Sequence, residues 1–336
     1  MLTKTMKQII TKKVNDWVAT VDNEEIKRII EKDLIITGGC FTSMIQNEIP
    51  NDFDCYFRTK EATLKIAQYY ADKWNEAHKG QKNKIGYETK VFVLDGANPS
   101  DEILDYFHVR DNHESRAVLM YNCPPERIKL VFPSDGVVGN PEEVRADEEL
   151  GTTNMSPIEL VEELDEAKAD KIIKEEKKEY FPVFISSNAI TLSNDIQIVV
   201  RFYGEPNEIH DTYDFIHTKA YYDIKEGKVV IPNEVYEHVI NKTLNYTGSK
   251  YPVCSIFRVR KFLERGWKIN AGQLLKICMQ ISKLDLMNIA VLEDQLIGVD
   301  SLYFMSLINQ FKQKEKEDKD FQLTPEYLVS IIDKIF

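Results

Sequence analysis

The chain lacks any apolar run of bilayer length: nothing in its 336 residues approaches the roughly 20 consecutive apolar residues that a membrane-spanning helix needs. Its first residues, MLTKTMKQIITKKVNDW, lack the unbroken apolar core of a secretory signal, so a soluble protein is expected. It has no CxxC pair. Cys40, Cys55, Cys123, Cys254 and Cys278 are scattered, which argues against a thiolate zinc site and against a disulfide framework, and fits a reducing compartment. A basic excess is missing as well. With 43 Lys and Arg against 55 Asp and Glu, the formal net charge is −12, so any contact with nucleic acid must be local rather than spread over the surface. What remains is ordinary for a globular chain: 43% hydrophobic residues, and length enough for two domains or for one with insertions.

Hydrophobic spacing predicts one or two amphipathic helices over 3–31, where Ile9, Ile10, Val14, Trp17, Val18, Val21, Ile26, Ile29 and Ile30 recur at near-helical intervals and Asn23 is placed as a cap between them. Leu34-Ile35-Ile36-Thr37 is a short β-branched run stopped by Gly38-Gly39. A short helix is expected over 40–48, ended by Pro50-Asn51, then a half-buried strand over 52–57 and a clear helix over 60–78. Strands are expected at 89–94, 117–121 and 128–132. Residues 157–178 read as a highly charged helix with a thin apolar stripe, suited to a solvated arm that meets a protein partner. From 181 the segments FPVFISS, AITL, IQIVVRFYG, TYDFIHTKAYYD and KVVIP read as an antiparallel meander, and after Pro232 the pattern is helical. The expectation is an α+β fold: a mixed sheet with flanking helices over 1–232, carrying an insertion around 96–180, and a helical domain over 233–336.

The stretch LIITGGCFTSMIQNEIPNDFDCYF (34–57) carries the candidate chemistry. Carboxylates at Asp52 and Asp54, two apart on a strand, point the same way and repel each other unless a cation lies between; oxygen-only ligands suit Mg²⁺. The glycine pair lets backbone approach a phosphate, and the helix behind it offers unpaired N–H groups to the anion. Such sites usually need a third carboxylate. Asp214 is the leading candidate, in a strand otherwise rich in Tyr and Phe where a charge needs a reason; Asp95 is the alternative, and Asp214 also reads as a strand-start or edge residue. His217 reads as a satisfied core histidine rather than a ligand.

Gly38-Gly39, Phe41, Ile45, Asn47 and Asp52-x-Asp54 resemble the GGxVRDxLLGRxxxDxD signature of CCA-adding enzymes and poly(A) polymerases, in the polymerase-β-like nucleotidyltransferase superfamily. The interval from the second glycine to the first aspartate is the same. The signature's Arg-Asp pair falls on Thr42 and Ser43, a departure at a position that binds triphosphate. A second stretch, SIFRVRKFLERGWKI (255–269), is similar to a helix of the same enzymes that faces the incoming nucleotide, and its Arg258, Arg260, Lys261 and Arg265 make it the most basic surface of the chain. TYDFIHTKAYYD followed by RKFLERGW also resembles nucleotidyltransferase-like proteins of tailed bacteriophages.

The resemblance implies a Mg²⁺-dependent transfer of a nucleoside monophosphate from NTP to a hydroxyl, with an RNA or tRNA 3′ end as the leading acceptor. In that reading Asp52, Asp54 and Asp214 hold two Mg²⁺ ions, Gly38, Gly39, Thr42 and Ser43 cradle the NTP, and Arg258 and Lys261 contact phosphate. The alternative is of another class: an inactive or weak member of that fold serving as a structural or interaction protein, such as a phage virion component. The missing Arg-Asp pair, the acidity and the unmatched inserts motivate it. In either reading no membrane partner is expected, and the location is cytoplasmic, in the host cytoplasm or the virion if phage-encoded.

Overall fold

The computed structural model of the protein describes residues 3–79, 89–94, 127–131, 137–139, 179–186, 188–296, 311, 314 and 323–335. The strand expected at 117–121, the charged helix expected at 157–178 and Asp95 lie outside them.

Helix α1 (Thr3–Thr20) buries Met6, Ile10, Val14 and Trp17, a single stripe produced by residues three and four apart. Helix α2 (Glu24–Asp33) starts where the Asn23 side chain accepts from the Glu25 and Ile26 N–H groups, a cap that contributes about 1 kcal/mol. Strand β1 (Leu34–Thr37) follows directly and is buried at every position. Next come α3 (Gly39–Ile45), β2 (Phe53–Phe57) and α4 (Lys60–Ala77), the last capped by the Thr59 hydroxyl. Strands β3 (Lys90–Leu94) and β4 (Arg127–Val131) pair apart from the main sheet.

The main sheet takes β5 (Val137–Gly139), β6 (Pro182–Ser186), β7 (Ala189–Leu192), β8 (Ile196–Val199), β9 (Tyr221–Asp223) and β10 (Lys228–Val230) together with β1 and β2. Its eight strands run in the order β10-β9-β1-β2-β8-β7-β6-β5. Only β2 and β8 pair in parallel; the other neighbours are antiparallel, so the sheet is mixed and the fold is α+β with flanking helices, as expected. The expected meander holds for β6-β7-β8 and for the β9-β10 pair, but β1 and β2 are inserted between those two blocks.

The two faces of the sheet are unlike. Ile36, Cys55, Phe57, Ile196 and Ile198 join α1, α2 and α4 in the main core. The other face carries a smaller cluster of Ile35, Tyr56 and Ile209, with Val199, Phe202, Tyr213 and Tyr221 packed on it. Strand β2 is therefore covered on both sides rather than half-buried, because apolar side chains pack on both faces of the sheet here.

Two elements depart from their sequence patterns. The segment TYDFIHTKAYYD is not one strand. Helix α5 (Pro206–His210), opened by a Glu205–Glu208 capping box, leads into it; Phe215 makes a single bridge to Tyr246, and Ile216–Thr218 form a 3-10 turn before β9 starts. Alternating aromatics and polars satisfy a chain that crosses the end of a sheet as well as one that runs along it. Helix α3 stops at Ile45, with Asn47 at φ 60, well before Pro50.

Beyond Pro232 lie α6 (Asn233–Ile240), α7 (Pro252–Glu264), α8 (Ala271–Ile281), α9 (Ile289–Leu296) and α10 (Pro325–Ile335). Two short parallel strands, β11 (Thr243–Leu244) and β12 (Lys268–Ile269), interrupt them where only helix was expected. Val235, Val239, Val259, Phe262, Trp267 and Ile277 belong to the main core, whereas Val253, Leu292, Phe311 and Leu328 gather in a second cluster.

Candidate functional site

The turn between β1 and α3 requires glycine at its first position. Gly38 has φ 93 and ψ −152, and a Cβ placed there would strike the Asp54 carboxylate and lie 3.3 Å from its Cγ. Gly39 begins the helix with open space around it. Helix α3 itself is seven residues long and buries Cys40, Phe41, Thr42, Met44 and Ile45, so it works as a packing element. Thr42 is 1% exposed and its hydroxyl donates to the His217 carbonyl at 2.9 Å. Its expected place in a triphosphate cradle is corrected: this hydroxyl braces α3 against the 3-10 turn. Ser43 is half-buried, and its carbonyl accepts from the Glu48 N–H.

Antiparallel register sets Thr37 opposite Asp54. Side-chain alternation then sends Asp54 and Tyr56 to the sheet's smaller face, while Phe53, Cys55 and Phe57 enter the main core. Asp52 precedes the strand and is exposed. Both carboxylates act at this end of the sheet: the Cys40 thiol is pushed up by burial first, then by the fields of Asp54 and Asp52. The Tyr56 phenol is pushed up by burial and next by Asp54, and Tyr213 by burial and next by Tyr56. Tyr213 donates to Tyr56 at 3.2 Å. Asp54 thus faces phenols that keep their protons.

Thr37 closes this network. Its hydroxyl donates to the Ala220 carbonyl at 2.8 Å and lies 2.8 Å from His210 Nε2. A hydroxyl has one proton, so His210 Nε2 must supply the other and carries the hydrogen in this contact. Burial, then Lys219, pushes His210 down to about 4, consistent with a neutral ring. Thr37, Tyr56, His210 and Tyr213 were not among the site residues expected from sequence. The one signal for them was the polar side chain that ends the β-branched run at Thr37.

Asp214 does not complete a metal site. It is 6% exposed, and its Oδ2 accepts from Ser255 Oγ at 2.8 Å and Arg258 Nη1 at 2.7 Å. It does not lie on a strand: Ile216–Thr218, just after it, form the 3-10 turn. Among the described residues no group of three or more His, Cys, Asp or Glu side chains converges as a metal site requires. The expected grouping of Asp52, Asp54 and Asp214 is not among such clusters, and the Asp214 carboxylate is bonded to Arg258 and Ser255.

Arg258 is likewise reassigned: its guanidinium is committed to Asp214, and Arg265, one face of α7 away, is committed to Glu48. The two arginines fasten α7 to the body, while Lys261 lies exposed. His217 is the core histidine expected, at 0% exposure, with Phe262, Trp267 and Phe215 ring centroids 4.4, 4.6 and 5.7 Å away. Neither of its ring nitrogens has a hydrogen-bond partner among the described residues, so it is buried as expected but not satisfied. Burial, opposed by Asp214, pushes it down to about 3.

The fold and this site define an α+β protein with a polar, aromatic-walled sheet face and no convergent metal cluster among the described residues. Residues 8–242 match the family described as "Gabija anti-defense 2 family protein", and the chain belongs to that family. A protein of Bacillus phage SPbetaL7, named "Gabija anti-defense 2", is 21% identical over 124 residues, 37% of this chain and 30% of that protein. The matched stretch is thus less than a third of that relative's length. No solved structure matches the chain.

This membership corrects the resemblance to polymerase-β-like nucleotidyltransferases. The family that matches is an anti-defense family, and transfer of a nucleotide from NTP to an RNA 3′ end finds no support in it. Similarity over residues 34–57 rested on glycines and aspartates at a shared spacing; of these, Gly38 and Asp54 meet at the turn between β1 and α3. No helix among the described residues is long and apolar enough to cross a membrane.

Proposed function

We propose that this protein counteracts the defence called Gabija in a phage-infected cell, and that it does so by binding a protein of that defence. Membership of the anti-defense family is the observation that carries this reading. Two features support binding over chemistry. Asp214, the acid best placed by sequence to complete a catalytic set, is paired with Arg258 and hydrogen-bonded by Ser255, and Thr42 is buried and bonded to backbone. A phage relative bearing the same function name supports action in the host cytoplasm.

The test is plaque formation on cells that carry the Gabija defence. Cells expressing the wild-type chain should regain plaques that the defence suppresses. The Asp52→Ala/Asp54→Ala double variant should protect equally well if it accumulates and folds as wild type does. Loss of protection in that folded variant would overturn the binding account. Absence of protection by wild type would overturn the counter-defence account altogether.

A further inference from the structure

Helix α8 is amphipathic the wrong way round for a helix that ends at solvent. Its inward face is set by Gln273, Ile277 and Gln280: Gln273 Oε1 accepts from the Tyr246 N–H at 3.0 Å, Gln280 Oε1 accepts from the Tyr246 hydroxyl and from the Ser249 N–H, and Ile277 is 2% exposed. Rotation by 100° per residue then turns Ala271, Leu275, Cys278 and Met279 outward. They are exposed, Leu275 by 59% and Met279 by 60%, with Leu274 beside them at 42%. Isolated surface leucines are unremarkable, but a helix that spends its polar residues inward and its apolar ones outward marks a contact surface.

Charge tells what it meets. Between residues 252 and 283 the sole carboxylate is Glu264, which pairs with Arg260; Arg258 and Arg265 are held by Asp214 and Glu48, and Lys261, Lys268, Lys276 and Lys283 are exposed, in a chain of net charge −12. Arg260, Lys261, Lys268 and Lys276 are exposed, and Ile256 and Leu263 flank Arg260 on the outer side of α7. A two-fold pairing of this surface with itself would set cations against cations, so a second copy is disfavoured. A nucleic acid would suit the cations but leave Leu275 and Met279 without a purpose, since backbone recognition uses charge and base stacking uses aromatic rings.

We propose that the outer face of α8, with the basic flank of α7, is the surface that docks on an acidic protein presenting an apolar helix or patch, and that this protein belongs to the defence opposed. The inference rests on the counter-defence reading and deepens it. The surface lies beyond residues 8–242, the stretch that matches the family.

Cys278 supplies a probe that needs no mutation. It is exposed on the stripe, while Cys40, Cys55 and Cys254 are buried. Purified components of the Gabija defence at saturating concentration should slow iodoacetamide alkylation of Cys278 in the full chain by about tenfold or more, read by peptide mass spectrometry. The Leu275→Glu/Met279→Glu variant should lose both that protection and the rescue of plaques while keeping the wild-type melting temperature. Four results would overturn the surface: binding with Cys278 unprotected; a variant that still rescues plaques; a stripe variant with a strongly lowered melting temperature, which would show the stripe already packed within the fold; or a wild-type dimer that the variant dissolves. Rescue lost by Lys268→Glu/Lys276→Glu but kept by the stripe variant would instead indicate a polyanion and equally refute the proposal. If wild type itself gives no rescue, the functional reading fails first, and the surface with it.

Discussion

Helices α3 and α8 are built from similar residues, GCFTSMI and AGQLLKICMQI, and end in opposite surroundings. In α3 five of seven residues are buried, packed against β2, α6 and the 3-10 turn, with the Thr42 hydroxyl tied to a backbone carbonyl. In α8 only Ile277 is buried, and its leucines and methionine face outward. The contrast teaches that apolar composition states a demand for burial without saying who meets it. The sheet meets it for α3, and a binding partner is the proposed answer for α8.

The comparison can be broken by experiment, beginning with the largest effect. Phe41→Ala in α3 should destabilise the fold by about 3–5 kcal/mol, because a fully buried ring leaves a cavity that its neighbours cannot fill. Urea unfolding measures it; a shift below about 1 kcal/mol would mean that α3 is not core. Arg258→Met comes next, at about 2 kcal/mol, since it strands the buried Asp214 carboxylate with only Ser255 for a partner. Adding Asp214→Asn to that variant should recover part of the loss, which a double-mutant cycle reads directly.

Gly38→Ala should cost about 1–2 kcal/mol from its positive φ and its contact with the Asp54 carboxylate, while Gly39→Ala, with open space around it, serves as the near-neutral control. Acid sensitivity is smaller per pH unit. His217 and His210 are held neutral in the fold, at about 3 and about 4, below the ordinary histidine value of 6.5, so below that value the unfolded chain binds protons that the native one refuses. Stability is therefore complete above about 6.5 and falls as pH drops toward the folded values, by at most about 1.4 kcal/mol per unit for each histidine. His217→Phe should remove one of the two slopes in melting temperature between pH 6.5 and 5, and an unchanged slope would remove His217 from the account. The smallest effect belongs to α8: Leu275→Ala should change stability by less than about 0.5 kcal/mol, since that side chain is already in solvent.

Much of the fold was legible because it rests on local periodicity. The α1 stripe, the Asn23 cap, the β-branched run at 34–37 and helix α4 all follow from spacing that any neighbour would respect. The site was legible only at Gly38 and Asp54. Their adjacency comes from β1–β2 register, and a spacing shared with a known signature stood in for it. Asp214 was misread because its partner, Arg258, is 44 residues away, and no local pattern announces a long-range ion pair. His210 meets Thr37 across 173 residues for the same reason.

Sequence alone determined the class of this protein: an α+β chain with a β1-Gly-Gly-α3-β2 unit, whose apolar stripes and caps specify helices and strands through contacts a few residues long. Tertiary structure alone decided which charges were already answered and which apolar faces were not. An ion pair and the burial of a face depend on where distant segments come to rest, and side-chain periodicity carries no information about that.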